Sequence, residues 1–285
     1  MEEISRGIYY ENTYSGVTLG AILLPQGTIL LDAPLRAEEG RAWRGKLTNL
    51  GASPNRFLIN LDAHPDRTLG ARVMDSTIIA HQKTAQVFRS RPSVFKGNNA
   101  ESGSEWEAYD EAVGTRWAVP DLTFTKHMYI HWGPFPVVLE QHPGPMPGAI
   151  WVSLPEAKVI FVGDLVIENQ PPFLANADLD PWIESLNALS TEYKNYTIIS
   201  GRGGPVSPNA IKLQKKYLQN IKKHIEKSIK NIDEIEDLES IIPVILRDYD
   251  VPAHLEDQYV QRLRHGLAQY YIRHFDTFDD PDLDS

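Results

Sequence analysis

A chain of 285 residues, 42% of them hydrophobic, holds enough apolar material for a substantial core in one large or two modest domains. Its formal net charge of −10 argues against a polyanionic partner, so no nucleic acid is expected unless positive charge gathers on one face. The complete lack of cysteine excludes disulfides and thiolate metal ligands, which leaves His and carboxylate for any metal. The first residues, MEEISRGIYY, contain no apolar targeting run, and no later apolar run is long enough to span a bilayer. A soluble, cytoplasmic protein with no membrane partner is expected.

In chain order, residues 8–32 predict three antiparallel strands (GIYYENTYSG, VTLGAILL and TILLDAP) with PQG as a turn. Asp32 ends the third strand, where it either caps a turn or supports the loop beyond. Ala37 to Leu50 is helix-compatible and stops near Gly51. A strand at Phe57–Ile59 then runs into DAHPDR, where Asp62, His64, Asp66 and Arg67 crowd onto a short loop containing Pro65. Oxygen and imidazole donors that close together suit a borderline divalent cation such as zinc, although Asp and Pro are also ordinary turn formers.

A short helix is expected at Thr68–Met74, a buried strand over residues 76–82 and a further helix from Thr84. Such alternation after an antiparallel opening marks a layered α/β sandwich. His81, at a strand end, reads as a packed structural residue. Residues 90–103 have turn and linker chemistry and 105–117 look helical; together they form an insertion, read as a lid over a site or as a surface loop. Val119 to Leu139 reads as a hairpin around WGP with His127, Tyr129 and His131 on one face. His127 and His131 would stand about 13 Å apart on a strand, too far to share an ion.

Two further strands, AIWVSL and KVIFVG, are joined by a PEA turn and end at Asp164. An irregular run follows in which Pro171, Pro172 and Phe173 are available to wall a pocket, then a helix with Asp180 at its N-cap and Pro181 at its first position. The strand YTIIS leads into GRGGP. Beyond Pro208 the chain is mostly helical; Ile211, Leu218, Ile221 and Ile225 form an apolar stripe, with Lys215, Lys216, Lys222 and Lys223 on a solvated face. A second helix is expected around residues 233–248, a third from Leu255 to Phe275, then a frayed acidic tail. Residues 1–208 are taken as the fold and 209–285 as its helical completion.

Three motifs, in this order, resemble those of the metallo-β-lactamase superfamily. DAHPDRTLG resembles the strand-end loop HxHxDH followed by Gly; HPGPMPG and the later Gly163–Asp164 resemble PGHTPG, strand, turn, strand and Gly-Asp; GRGG resembles the terminal PGHG turn. The resemblance implies an α/β fold, a four-layer αββα sandwich with a C-terminal helical extension. By position it also implies the site. His64 and Asp66 keep the family's residues, Asp62 and Arg67 replace the first and last His, Pro145 replaces a ligand His, and Arg202 replaces the final one. Asp164 matches the carboxylate that bridges two metals, and His142, three residues before Pro145, is a candidate substitute ligand.

The metal ligands so implied are Asp62, His64, His142 and Asp164, holding at most one zinc or other divalent ion. The second subsite reads Asp66, Arg67 and Arg202, and guanidinium groups do not ligate metal. Their charges are expected to stand in for the second ion, with Asp66 and Asp164 as partners. Counting Asp62, Asp66 and Asp164 against the two arginines leaves one negative charge, which protonation of His64 would cancel and a divalent ion would overshoot. Two functions follow from the resemblance. One is a hydrolase of esters, lactones or amides acting on a small anionic substrate, with Asp66, Arg67 and Arg202 as its catalytic residues. The other is a metal-free pseudo-enzyme that binds a small anionic ligand or scaffolds partners; a homo-oligomer stays open.

Overall fold

The computed structural model describes residues 1–94, 102–229 and 235–275. Residues 95–101 of the expected insertion and the acidic tail 276–285 lie outside them. Strands β1 (Glu2–Ser5), β2 (Ile8–Glu11), β3 (Leu19–Leu24), β4 (Gly27–Leu31), β5 (Arg56–Ile59), β6 (Thr77–His81) and β7 (Leu122–Phe124) lie side by side in chain order. The first four pair antiparallel and β4 to β7 pair parallel. A second sheet has the order β13 (Gly204–Pro205), β12 (Thr197–Ser200), β11 (Val159–Phe161), β10 (Ile150–Leu154), β9 (Val137–Gln141), β8 (His127–Ile130), with β11 and β12 parallel. The helices are α1 (Ala37–Asn49), α2 (Pro65–Thr68), α3 (Gln82–Ser90), α4 (Leu179–Glu192), α5 (Pro208–Ile229), α6 (Ile242–Leu246) and α7 (Glu256–His274).

Period-two alternation along the strands builds the layers. Ile59 of β5 and Ile150 and Val152 of β10 point between the sheets, into a core shared with Ile29, Leu31, Phe161 and Ile199. Leu58 points the other way and packs with Trp43 and Leu47 of α1. Trp151 likewise faces outward onto a core shared by Leu186 and Leu189 of α4, Leu218, Ile221 and Ile225 of α5, and Leu263 and Leu267 of α7. Each sheet thus has one face on the other and one face under helices, the αββα sandwich expected. The C-terminal helices complete the outer layer, burying the apolar stripe of α5. Among the described residues, no helix is long and apolar enough to cross a membrane.

Several local expectations are corrected. The first arm of the expected hairpin is cut at Thr125–Lys126: Leu122–Phe124 closes the first sheet, His127–Ile130 edges the second, and only the latter pairs with β9. Pattern alone hides this crossover because both segments alternate. Residues 105–117 form two short 3₁₀ turns, Glu105–Ala108 and Asp110–Ala112, since the Glu105 and Trp106 amides are drawn to Asp66 and Gly114 takes a left-handed φ of 76°. Helix α4 starts at Leu179 with Asp178 at its N-cap, not at Asp180. The turn after DAH becomes helical already at Pro65, whose fixed φ suits the first position, and runs on as a 3₁₀ helix to Met74.

Candidate functional site

The DAHPDR loop, Asp164 and Arg202 meet where parallel neighbours end: Asp32 follows β4, the loop follows β5, Asp164 follows β11 and Arg202 follows β12. Carboxyl ends of parallel strands leave a crevice into which side chains of several loops converge. Asp32, Asp62, His64, Asp66, Arg67, Asp164 and Arg202 are all buried there, none more than 5% exposed.

Arg67 is the centre. Its Nη1 stands 3.4 Å from Asp32 Oδ2, its Nε 3.3 Å from Asp62 Oδ1, and its Nη2 donates to Asp164 Oδ1. Arg202 reaches the same carboxylate from the other side, with Nε 3.2 Å from Asp164 Oδ2 and Nη1 3.0 Å from Asp66 Oδ2. Its Nη2 lies 3.3 Å from His64 Nδ1. Asp66 is completed by the backbone N–H groups of Trp106 at 2.8 Å and Glu105 at 3.2 Å. Asp62 accepts the His64 amide at 2.8 Å, and Asp32 accepts that of Leu61 at 2.9 Å. Asp32 therefore supports the loop from beneath while also reaching Arg67.

The GRGG turn is shaped for this. A Cβ on Gly201 would collide with the Arg67 guanidinium and stand 2.8 Å from the Gly163 carbonyl carbon, so only glycine lets β12 turn over Arg67. Gly163 itself takes a left-handed φ of 58° that turns Asp164 toward the two arginines.

The charge count left open whether a divalent ion or a proton on His64 compensates the cluster, and electrostatics disfavour the protonated His64. Burial, with Arg202 alongside, pushes its pKa down to about 3, and its Nδ1 accepts the Asp66 amide at 3.2 Å, so the ring is neutral. Burial instead raises Asp32 to about 8 and also raises Asp62, in each case against the pull of Arg67 and with the help of a neighbouring carboxylate. Asp164 goes the other way: burial alone would raise it, but Arg202 and Arg67 outweigh that and hold it well below the usual carboxylate range. Asp66 is lowered despite its burial, by His64 only when that ring is protonated and by Arg202 and the two amides at every pH.

His142, offered above as a ligand, stacks on Trp151 with ring centroids 3.4 Å apart and an interplanar angle of 9°. No contact among the described residues joins it to the cluster. Stacking on a buried indole satisfies its flat face, and burial pushes its pKa down to about 4. Zinc or another divalent ion is typical of the fold's family, and here it would fall to the donors Asp62, His64 and Asp164. They do not fit: every carboxylate faces a guanidinium group, and no three described His, Asp or Glu side chains are placed to share an ion.

Beside His64 lies a cavity of about 680 Å³ with a mixed wall, apolar at Trp106, Trp117, Met146, Phe173 and Leu174 and polar at Arg91, Ser102, Ser104, Glu107, Asn176 and His265. Phe173 stands between the guanidinium groups of Arg202 at 4.7 Å and Arg262 at 3.9 Å, edge-on to His64 at 4.5 Å. The expectation that Phe173 walls a pocket therefore holds, and the stretches flanking residues 95–101 line the same space. Arg262 was not singled out in the sequence. Its signal was there: an arginine on the apolar face of α7, in register with Tyr259, Leu263, Gly266, Leu267 and Tyr270.

Fold and site together define an αββα protein whose strand-end loops hold an ion-pair cluster. The sequence profile of the metallo-beta-lactamase superfamily matches residues 21–201, and the chain belongs to that superfamily. Among solved structures, a metallo-beta-lactamase from Pontibacter korlensis is similar at 19% identity with a TM-score of 0.57, over 77% of this chain and 98% of that one. The stereoselective inverting sec-alkylsulfatase Pisa1 from Pseudomonas sp. is similar at 14% identity with a TM-score of 0.68. That match covers 99% of this chain, which spans only about half the alkylsulfatase (51%). No curated protein matches by sequence.

Proposed function

We propose that this chain is a metal-free member of its superfamily, a small-molecule-binding protein in which two guanidinium groups take the place of the metal centre. The observation that carries this is Arg67 in contact with three carboxylates, Asp32, Asp62 and Asp164, while Arg202 bridges Asp66 and Asp164. An ion brought to these oxygens would have to displace buried, hydrogen-bonded cations, and removing one partner of such a pair leaves an uncompensated charge. The cavity beside His64 is the binding site in this reading, because its size and its aromatic and apolar side chains set among a few polar ones are those of small-molecule pockets. Arg67 and Arg202 hold the loops that shape it and are not free to take a substrate anion.

The second reading is a hydrolase with one divalent ion on Asp62, His64 and Asp164, favoured by the hydrolases among the similar structures. One experiment separates the two. The purified chain is incubated with zinc, desalted and subjected to elemental analysis, and its turnover of ester, lactone and β-lactam substrates is measured with and without chelator. Sub-stoichiometric zinc and no chelator-sensitive turnover are expected. A full zinc per chain with chelator-sensitive hydrolysis would overturn the metal-free reading.

A further inference from the structure

Two stretches that line the cavity, Ser102–Glu107 and Phe173–Asn176, are a short 3₁₀ turn and an irregular run. Neither has a strand ladder to fix it, so each takes its place from the groups its backbone bonds to. Arg262 of α7, 1% exposed, bonds to both. It donates to Gly103 O from Nε at 3.2 Å and from Nη2 at 3.0 Å, and from Nη1 to Gln170 Oε1 at 2.8 Å and Pro171 O at 3.2 Å. Four of its five N–H groups are spent in this way, and only a planar fork of donors reaches two segments at once.

The same face of α7 repeats the grip. Gln258, one turn earlier, donates from Nε2 to Gly103 O at 3.2 Å and Glu105 Oε1 at 3.0 Å. Gly266, one turn later, packs so closely on Leu174 that an added Cβ would stand 3.1 Å from the leucine Cβ. Arg273 then donates to Ala175 O at 3.1 Å and Ala177 O at 3.3 Å and pairs with Asp178 at 3.0 Å. Spacings of four, four and seven residues keep these side chains on one side of a helix. The first stretch is closed on itself by Glu107, which accepts the amides of Ser102 at 2.9 Å and Gly103 at 3.0 Å, so it moves as a unit.

We infer that α7 positions the cavity, with Arg262 as the positioning residue that sets its two irregular walls at one separation. The site is then controlled from the C-terminal helical extension, since a displacement of α7 carries both walls with it. The inference rests on the reading of the cavity as a small-molecule site; the tie between the walls does not.

Two measurements on the full chain test it: hydrogen–deuterium exchange resolved by peptide, and binding of the uncharged fluorophore N-phenyl-1-naphthylamine, read by the intensity and wavelength of its emission. Both are taken well below the melting temperature of each variant, so lost global stability alone moves neither. Arg262→Lys keeps the charge and loses the planar fork. It should speed exchange in 102–107 and 170–178 together by about tenfold, the factor for losing a hydrogen bond to a charged group, with β5 and β12 unchanged. Fluorophore binding should weaken and its emission shift to the red. Gln258→Ala should speed exchange in 102–107 alone, and it decides if Arg262→Lys does not fold: unaltered exchange there overturns the grip of α7. Faster exchange throughout the chain, or in one wall only, for Arg262→Lys overturns the tie. Faster exchange in both walls with fluorophore binding unmoved overturns the positioning role. No binding to the unmodified chain overturns the small-molecule reading of the cavity, and the positioning role with it, even where the exchange pattern upholds the tie.

Discussion

Arg202 and Asp164 pair across 3.2 Å on one oxygen of a carboxylate whose other oxygen belongs to Arg67. Asp164 and Arg202 follow strands of the second sheet, whereas Arg67 and Asp66 follow β5 of the first, so the pairs cross-link the two sheets. Replacing both arginines with the family's histidines, Arg67→His with Arg202→His, should destabilise the chain in chelator. Breaking one buried pair costs about 3–5 kcal/mol. Thermal melts with and without zinc check this, and zinc should recover part of the loss. An unchanged melting temperature in chelator would make the arginines energetic bystanders.

The raised pKa of Asp32 gives the fold a pH dependence of a definite sign. Unfolded, its pKa is near 4; folded, it is about 8, so the folded state binds the proton more tightly. The stability this adds is complete below pH 4 and is lost progressively up to about 8. His64 acts oppositely, because its folded pKa is depressed, but only below its unfolded value near 6.5. Between pH 6.5 and 8, then, stability should fall as pH rises. Asp32→Asn should flatten that slope in urea melts taken across the window. Asn tolerates the left-handed φ of 58° and its carbonyl keeps the Leu61 amide bond. An unchanged slope would show that Asp32 is ionised throughout.

Gly201→Ala should cost at least about 1–3 kcal/mol, the range for overpacking, because neither the Arg67 guanidinium nor the Gly163 backbone has room to move. Gly45→Ala is the control. It lies in α1 with nothing within 4 Å of a new Cβ, and should stabilise by about 0.5–1 kcal/mol. Chemical denaturation of the two variants should therefore move in opposite directions.

His142→Phe should keep the stack on Trp151 and leave zinc uptake as it is in the unmodified chain. Because burial depresses the His142 pKa, the histidine takes stability away as pH falls from about 6.5 to about 4. The phenylalanine variant should be the more acid-stable of the two by equilibrium unfolding at pH 4.5. A loss of bound zinc on this substitution would instead place His142 among the ligands.

Residue order alone carried the fold, because strand-end motifs and period-two alternation are local signals: DAHPDR, Gly163–Asp164 and GRGG each announce a strand ending in a tight turn. The family resemblance those motifs carry implied Asp62, His64, Asp66, Arg67, Asp164 and Arg202, which the structure gathers at one edge. Asp66 and Asp164 were expected as partners of the arginines, and they are; the remaining partners were out of reach. Asp32 pairing with Arg67, the Trp106 and Glu105 amides closing on Asp66, and Phe173 meeting the guanidinium groups of Arg202 and Arg262 join residues tens of positions apart. Protonation was equally out of reach: His64 is neutral and Asp32 holds its proton more tightly because burial penalises charge according to depth and neighbours, quantities fixed only when both sheets have closed over the cluster. His142 shows the converse, a residue whose spacing suited a ligand and whose nearest flat surface, Trp151, took it instead.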